Sequence, residues 1–195
     1  MEETAHQKLR SAVERFVQLP DDDWQLLLPH LVERRLKKHS LFAAEGKKNG
    51  DVGFVLEGNL RQYYTKEGEE KTTYFYFENH LVSAYIACLT GESSKLSIEA
   101  LTDCRLLVFP YKTLTELFAQ SAAWNTFGRR LAEYLAIGLE ERMVGLLLQT
   151  PEERYRELLQ GNKQKIIERI PQHLIASYLG ITPVSLSRIR TRAAK

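Results

Sequence analysis

Several chemical classes of protein are excluded by what this sequence contains little of. Among its 195 residues only two are cysteines, Cys88 and Cys104, too few for a disulfide framework or a four-cysteine metal site. We expect both thiols to be small buried core residues. The five histidines are scattered without the spacing of metal ligands, so no metal or cofactor is expected. Because no activated nucleophile, carboxylate pair or glycine-rich phosphate loop is present, we expect no enzyme.

The sequence also lacks a long apolar run. No stretch approaches the roughly 18 consecutive apolar residues that a membrane span needs. The first residues, MEETAHQ, are acidic and polar where a secretory signal is basic and then apolar. We therefore expect a cytoplasmic protein without membrane association, long enough for one core-bearing domain and a smaller one.

The stretch at residues 170–190, IPQHLIASYLGITPVSLSRIR, has the spacing of a helix-turn-helix. Ala176 falls where two helices cross closely, and Gly180 falls where the tight turn needs positive φ. The apolar positions that would bury one face of each helix are Ile175, Leu179, Ile181, Leu186 and Ile189. An ordinary pair of core helices is the alternative, but the outer face of the second helix is polar and basic.

Helix-start signals and the charge distribution agree with this interpretation. Pro171 and Pro183 suit the first turn of a helix, and Thr182 suits the N-cap position before Pro183. Residues 161–195 carry seven basic residues and one acidic residue, although the whole chain has 27 Lys+Arg against 25 Asp+Glu. Since phosphate neutralisation supplies most non-specific affinity, this asymmetry favours a nucleic-acid-binding module on a mildly acidic body. A solvated basic tail is the alternative.

Strand-like patterns occupy the middle of the chain, between about residues 33 and 109. Short β-branched, aromatic or alternating runs are separated by glycines, at residues 54–56, 60–64, 72–77, 96–101 and 105–109. They predict an antiparallel barrel or sandwich. The helical segments predicted around them are residues 4–30, with a second helix opening at Trp24, and residues 113–119, 122–149 and 152–160. Residues 165–169 are predicted as a short strand.

The long helix at residues 122–149 is apolar on two sides. One side is formed by Ala132, Leu135, Leu139, Met143 and Leu146, and the other by Ile137, Val144, Leu147 and Leu148. Both apolar sides of such a helix have to be shielded from water. We therefore expect one side to pack on the strands and the other to contact the same helix of a second subunit. A helix buried wholly within one subunit is the alternative.

This order of parts resembles the Crp/Fnr family of bacterial transcription regulators over nearly the whole chain. The motifs that carry the resemblance are DVGFVLEGNLRQYY at residues 51–64, similar to the first β hairpin of the family, and QHLIASYLGITPVSLSRIR at residues 172–190. The resemblance implies an α+β fold with N-terminal helices and an antiparallel β jelly roll. Its implied divisions are a cyclic-nucleotide-binding-like effector domain at 1–112, a dimerisation helix at 113–149 and a helix-turn-helix domain at 150–195. Implied partners are a palindromic double-stranded DNA operator, a second copy of the chain and RNA polymerase.

The sequence departs from the family where cyclic nucleotides bind. In family members that bind cyclic nucleotides, a Gly-Glu pair holds the ribose, and the corresponding positions here are near Ser83 and Ala84. An Arg-Ser or Arg-Thr pair holds the phosphate in those members, and the corresponding positions here are near Ser94 and Lys95. A lone lysine matches a phosphate less well than the guanidinium fork, so cyclic AMP is not the expected effector. The cysteine cluster of oxygen-sensing members is absent as well. The sequence stops at Lys195, directly after the second helix, so the terminal β wing common in the family is either missing or was cut away.

A small-molecule effector therefore stays unidentified. The positions that line the pocket in relatives are occupied here by Ser83, Tyr85, Ser94, Lys95 and Ser97, of which Lys95 suits an anion. The alternative is an empty or side-chain-filled pocket in a regulator controlled by its abundance.

We interpret the chain as a homodimeric, sequence-specific DNA-binding transcription regulator whose helix at 183 to about 193 enters the major groove. Base edges are expected to face Val184, Ser185 and Arg188, and phosphates to face Gln172, Thr182, Ser187, Arg190 and Arg192. The Arg188 guanidinium has the reach to contact guanine O6 and N7 together. Two alternatives remain: a small-molecule sensor whose helix-turn-helix mediates protein contacts, and a cupin-like metalloenzyme, which the scattered histidines disfavour.

Overall fold

The chain divides into two compact units. The structure, a computed structural model, describes residues 4–160 and 163–193. The first unit consists of residues 1–62 and 75–134, and the second of residues 63–74 and 135–195.

Helices open and close the first unit. Helix α1 (Ala5–Glu14) begins at a capping box, in which the Thr4 N–H donates to the Gln7 side chain and the Gln7 N–H donates to the Thr4 hydroxyl. Helix α2 (Asp21–Leu27) has three aspartates in its first turn, where negative charge suits the positive end of the helix dipole. A 3₁₀ turn follows at Leu28–His30. The N-terminal helices predicted from the sequence are therefore present.

Eight strands are described in two four-stranded sheets. They are β1 (Val32–Leu36), β2 (Leu41–Ala43), β3 (Asp51–Glu57), β4 (Leu60–Lys66), β5 (Glu69–Tyr76), β6 (Leu81–Val82), β7 (Ser97–Ala100) and β8 (Cys104–Pro110). The strand orders are β1-β8-β3-β6 and β2-β7-β4-β5. In the first sheet β8 lies between two antiparallel neighbours, and Val108 stands opposite both Val32 and Gly53. The described strands thus form two sheets rather than a closed barrel.

All five predicted strands are present, but β1, β2 and β6 were not predicted, and neither was helix α3 (Tyr85–Thr90). Strand β1 has the sequence VERRL and no fully buried residue, so it lacks the apolar alternation from which a half-buried strand is recognised. Its place at the edge of a sheet suits such charged side chains.

Strand β3 carries core residues on both faces. Phe54 belongs to a cluster with α1, α2 and the aromatic residues Trp124 and Phe127. Val55, the next residue, belongs to a second cluster with Leu60, Ile98 and Leu106 of the two sheets. Both side chains are 0% exposed, because successive residues of a strand point to opposite faces and each face of β3 is covered.

Helices α4 (Tyr111–Gln120) and α5 (Ala122–Leu148) follow the strands, close to the predicted bounds. The first turns of α5 complete the core of the first unit. The Trp124 ring is fully buried, and its Nε1–H donates to the backbone oxygen of Asp23 at 2.9 Å.

The second unit contains the later part of α5 and four further helices, α6 (Pro151–Leu158), α7 (Gln164–Arg169), α8 (Gln172–Leu179) and α9 (Pro183–Ala193). The strand predicted at residues 165–169 is wrong, since these residues lie in α7. Ile166 and Ile170 are both buried, and the Ile170 N–H donates to the Ile166 oxygen at 3.1 Å. A spacing of four residues between buried side chains is typical of a helix. A segment this short contains only one such pair, so its helical pattern was hard to recognise.

Within the described residues, no helix combines the length and apolar composition that crossing a membrane requires. In the same part of the chain, no three His, Cys, Asp or Glu side chains are grouped closely enough to hold a metal ion.

Candidate functional site

The turn between α8 and α9 has the geometry that the sequence predicted. Gly180 adopts φ +71°, and its N–H donates to the Ser177 oxygen at 3.0 Å. The Ile181 N–H donates to the Ala176 oxygen at 3.0 Å, which completes a Schellman cap at the end of α8. The Ala176 side chain is 0% exposed, as expected of a close helix crossing. A residue with a Cβ at position 180 is strained by this φ.

The start of α9 is capped by Thr182, also as predicted. The Thr182 hydroxyl accepts from the Ser185 N–H at 3.2 Å, and its backbone oxygen accepts from the Leu186 N–H at 3.0 Å. Leu186 and Ile189 are buried, so the opposite face of α9 is turned outward. At α8 the prediction is off by one residue, because Pro171 occupies the N-cap rather than the first turn.

The residues predicted to contact DNA lie on that outward face and at the start of α8. Exposed members are Gln172, Thr182, Val184, Ser187, Arg188 and Arg192, and partly buried members are Ser185 and Arg190. An open cleft of about 360 Å³ brings together Gln172, Ser187, Arg190 and Thr191. Thr191 was not predicted, although its position four residues after Ser187 places both on one side of the helix. Contact of these residues with DNA stays a prediction.

The arginines of α9 differ in their surroundings. The Arg192 guanidinium pairs with the Glu152 carboxylate of α6 at 3.0 Å. Across the part of the chain that the structure describes, no carboxylate pairs with Arg188. Among the described residues Arg190 has no carboxylate partner either, but it is partly buried, so Arg188 is the fully exposed arginine of α9 without an ion pair.

A β-hairpin tip also belongs to the second unit. Residues 63–74 turn at Glu67 and Gly68, which both have positive φ, as in a two-residue hairpin loop. The Ser177 hydroxyl of α8 accepts from the Thr72 N–H at 3.0 Å and donates to the Glu70 oxygen at 3.2 Å. Ser177 thus joins the first helix of the helix-turn-helix to the hairpin, a contact that sequence spacing does not reveal.

Two of the predicted effector residues use their hydroxyls within the protein. Ser94 is buried, and its Oγ donates to the Leu96 oxygen at 2.7 Å and accepts from the Leu96 N–H at 3.2 Å. The Ser97 Oγ accepts from the Glu45 N–H at 3.1 Å. By contrast, Ser83 is half-buried and Lys95 is exposed. The assignment of an effector to these residues stays a prediction.

The fifth predicted residue, Tyr85, lies beside a cleft that the sequence did not reveal. Its ring meets the Tyr111 ring edge-on, with the centroids 6.2 Å apart. The cleft has a volume of about 520 Å³ and is lined by Gly50, Asp51, Cys88, Leu89, Pro110, Tyr111, Lys112 and Thr115. It forms where β3 begins and β8 ends, because Asp51 is paired with Pro110. Strand pairing brings Asp51 and Pro110 together, and residues of α3 and α4 complete the lining.

The two cysteines have different environments. Cys104 is buried, as predicted, but the prediction that Cys88 is also a buried core residue is wrong, since Cys88 lines the cleft and is only half-buried. Burial, together with the nearby Asp51 carboxylate, raises the pKa of the Cys88 thiol to about 11. The thiol is therefore protonated at neutral pH and poorly reactive.

Comparison with known proteins identifies the fold. Residues 33–121 match the model of the cyclic nucleotide-binding domain family. FixK2 from Bradyrhizobium japonicum superposes with a TM-score of 0.69 at 19% identity, covering 83% of this chain and 83% of that chain. CLP from Xanthomonas campestris, a c-di-GMP responsive global regulator, gives a TM-score of 0.66 at 15% identity, covering 90% of this chain and 92% of its own. The catabolite activator protein of Thermus thermophilus gives a TM-score of 0.56 at 20% identity, covering 94% of this chain and 86% of that chain.

A Eubacterium rectale protein assigned to the Crp/Fnr family superposes with a TM-score of 0.68 at 19% identity, covering 89% of this chain and 83% of that chain. The chain has the Crp/Fnr fold. A search of curated protein sequences finds no match. The resemblance noted in the sequence is thus confirmed for the fold by the domain model and by neighbours that cover most of the chain.

Helix α5 of this Crp/Fnr fold is buried at its start and exposed later. Trp124 and Phe127 lie in the core, whereas Leu139 is 71% and Leu148 80% exposed. The other large apolar residues exposed after Leu135 are Ile137, Met143, Val144, Leu146 and Leu147. We expected one apolar side of the helix to pack on the strands, but along this part both apolar sides are exposed. Large exposed apolar residues grouped along one helix are typical of an interaction surface.

Proposed function

We propose that the chain is a sequence-specific DNA-binding transcription regulator that acts as a cytoplasmic homodimer. The observation that carries the proposal is the outward face of α9, which is polar and basic and is held on a capped helix-turn-helix. In this function α9 enters the major groove of B-DNA, because that groove is wide enough to admit an α-helix.

Within α9, Val184, Ser185 and Arg188 read base edges. Phosphate contacts come from Gln172 and Thr182 before the helix and from Ser187, Arg190 and Arg192 along it. The cleft shared by Gln172, Ser187 and Arg190 supports this division, since it joins the start of α8 to one side of α9. RNA polymerase is the further partner that transcription regulation requires.

The dimer of the proposed regulator forms through α5. Its apolar residues between 137 and 148 recur at three- and four-residue steps and are exposed in the single chain. Packing against the same helix of a second copy removes this surface from water, and the apolar surface stabilises the dimer in proportion to its area.

Selection of bound sequences from a random DNA pool tests the proposed function. A two-fold dimer presents two recognition helices, so the selected site should be a palindrome with half-sites about 34 Å apart, or one helical turn. Gel-shift titration of the enriched and unenriched pools measures the gain in affinity. If no fragment is enriched even at low salt, the helix-turn-helix serves protein contacts instead.

A small-molecule effector is part of the proposal, but cyclic AMP is not that effector. The hydroxyl at position 94 is occupied by the backbone of Leu96, and the neighbouring cation is Lys95, a point charge without the guanidinium fork.

Calorimetric titration with cyclic AMP should therefore show no saturable binding at low-micromolar concentrations. A protein known to bind cyclic AMP, titrated in the same buffer, is the positive control. Saturable low-micromolar binding to this chain would show that other residues of the β domain bind the phosphate of cyclic AMP.

A further inference from the structure

The ends of two helices meet at the guanidinium of Arg154 in the second unit. Its Nη1 donates to the oxygens of Gly145 at 3.3 Å and Gln149 at 2.6 Å, at the end of α5. Its Nε and Nη2 donate to the oxygen of Leu179 at 3.2 and 3.0 Å, at the end of α8. One side chain of α6 therefore bonds both the long helix and the first helix of the helix-turn-helix.

A second arginine supports the same junction. The Arg142 guanidinium of α5 lies over the Tyr178 ring of α8, with its central carbon 3.9 Å from the ring centroid. Its Nη2 also donates to the Tyr178 oxygen. Burial lowers the pKa of Arg142, Tyr178 opposes this change, and the charge of Arg154 lowers the pKa further. Both guanidinium groups donate to neighbouring oxygens of α8, those of Tyr178 and Leu179. Among the described residues no carboxylate pairs with either arginine.

Backbone carbonyl oxygens, rather than carboxylates, accept the hydrogen bonds of the two guanidinium groups. The last carbonyls of a helix have no partner inside the helix, and they carry the negative end of its dipole. At this junction the Gln149 oxygen after α5 and the Tyr178 and Leu179 oxygens at the end of α8 accept from guanidinium groups, which compensates for the burial and mutual repulsion of the two cations. The Gly145 oxygen is shared, because it also accepts from the Gln149 N–H. The planar fork of arginine reaches several acceptors in fixed directions, whereas the compact ammonium of lysine does not.

The short connection between α5 and α6 does little to fix the angle between these two helices. Helix α5 ends at Leu148 and α6 begins at Pro151, so only Gln149 and Thr150 connect them. The capping box of Thr150 and Glu153 orders the start of α6 but bonds to neither α5 nor α8. The Gln149 side chain donates to the Glu157 carboxylate of α6, and the two arginines add the bonds from α5 and α6 to α8.

We propose that Arg154, supported by Arg142, is a positioning residue that holds the helix-turn-helix at one angle on α5 and so sets the spacing between the two operator half-sites. This inference rests on the proposed function and deepens it, since neither arginine belongs to the set assigned to DNA contact.

The test compares Arg154→Ala and Arg154→Lys with Arg156→Ala, a control at an exposed position of the same helix. Each protein is titrated with the selected palindrome, with an isolated half-site, and with palindromes whose spacing is changed by one or two base pairs. Arg154→Ala and Arg154→Lys should bind the palindrome about tenfold more weakly and the half-site almost unchanged, because a mispositioned second module loses effective concentration. They should also lose discrimination among spacings, and Arg156→Ala should behave as the unmodified protein.

Arg142→Ala is the second variant in case Arg154→Ala does not fold, which circular dichroism shows. Equal weakening on the palindrome and the half-site would mean that Arg154 only stabilises the domain, and that result overturns the inference. So does an Arg154→Lys variant with wild-type affinity and spacing preference, since charge alone would then suffice. Failure of the unmodified protein to select any DNA instead overturns the proposed function itself.

Discussion

Replacement of Leu139 by glutamate should convert the proposed dimer into monomers or aggregates and weaken binding to a palindromic operator by about a hundredfold. Leu139 is 71% exposed in the single chain, and Met143 lies one turn further along the same side of α5. A carboxylate at this position has to be buried without a partner if the helices still pack together, which costs several kcal/mol. The loss on DNA follows because a monomer engages only one half-site.

Sedimentation velocity at tens of micromolar protein measures the change in assembly. Asn125→Glu is the matched control, since it adds the same charge at an exposed position in the first turns of α5 and should leave the dimer intact. A monomeric unmodified protein, or a Leu139→Glu variant that stays dimeric, would contradict the role assigned to the exposed face.

The helix-turn-helix was the most predictable part of this chain because its signals are local. A positive φ at Gly180, a close crossing at Ala176 and a hydroxyl cap at Thr182 each depend on residues within one or two turns. The sequence displays such constraints directly, and the structure has all three.

Features that depend on distant residues were not predictable in the same way. The cleft beside Cys88 exists because Asp51 pairs with Pro110 across the sheet, and no local pattern records that pairing. The two donations of Arg154 to Leu179 depend on the packing of α6 against α8. An isolated arginine in a polar helix gives no sign of this arrangement.

The candidate effector residues show a different limit of sequence reasoning. A serine at a pocket position offers a hydroxyl, but Ser94 and Ser97 direct theirs to backbone groups of Leu96 and Glu45. Whether a polar side chain is available to a ligand depends on such local bonds, and residue type alone does not report them.

Replacement of Arg188 by alanine should weaken binding to the selected operator by about 1 to 3 kcal/mol and relax the preference at one symmetric base pair. The Arg188 side chain is exposed and has no carboxylate partner among the described residues, so it is free to contact a guanine through both O6 and N7. Random DNA should be bound almost as well as before, because the contacts to phosphates remain.

Arg192→Ala is the matched comparison, from the same helix and with the same loss of charge. It should weaken all sequences about equally and reduce the slope of log affinity against log salt by about one unit. Breaking its exposed pair with Glu152 adds little, since surface ion pairs contribute about 0 to 1 kcal/mol. Titrations of the selected operator and of random DNA at several salt concentrations separate the two roles. If Arg188→Ala lowers affinity for both DNAs alike, Arg188 anchors the backbone, and specificity then depends on Val184, Ser185 or the shape of the DNA.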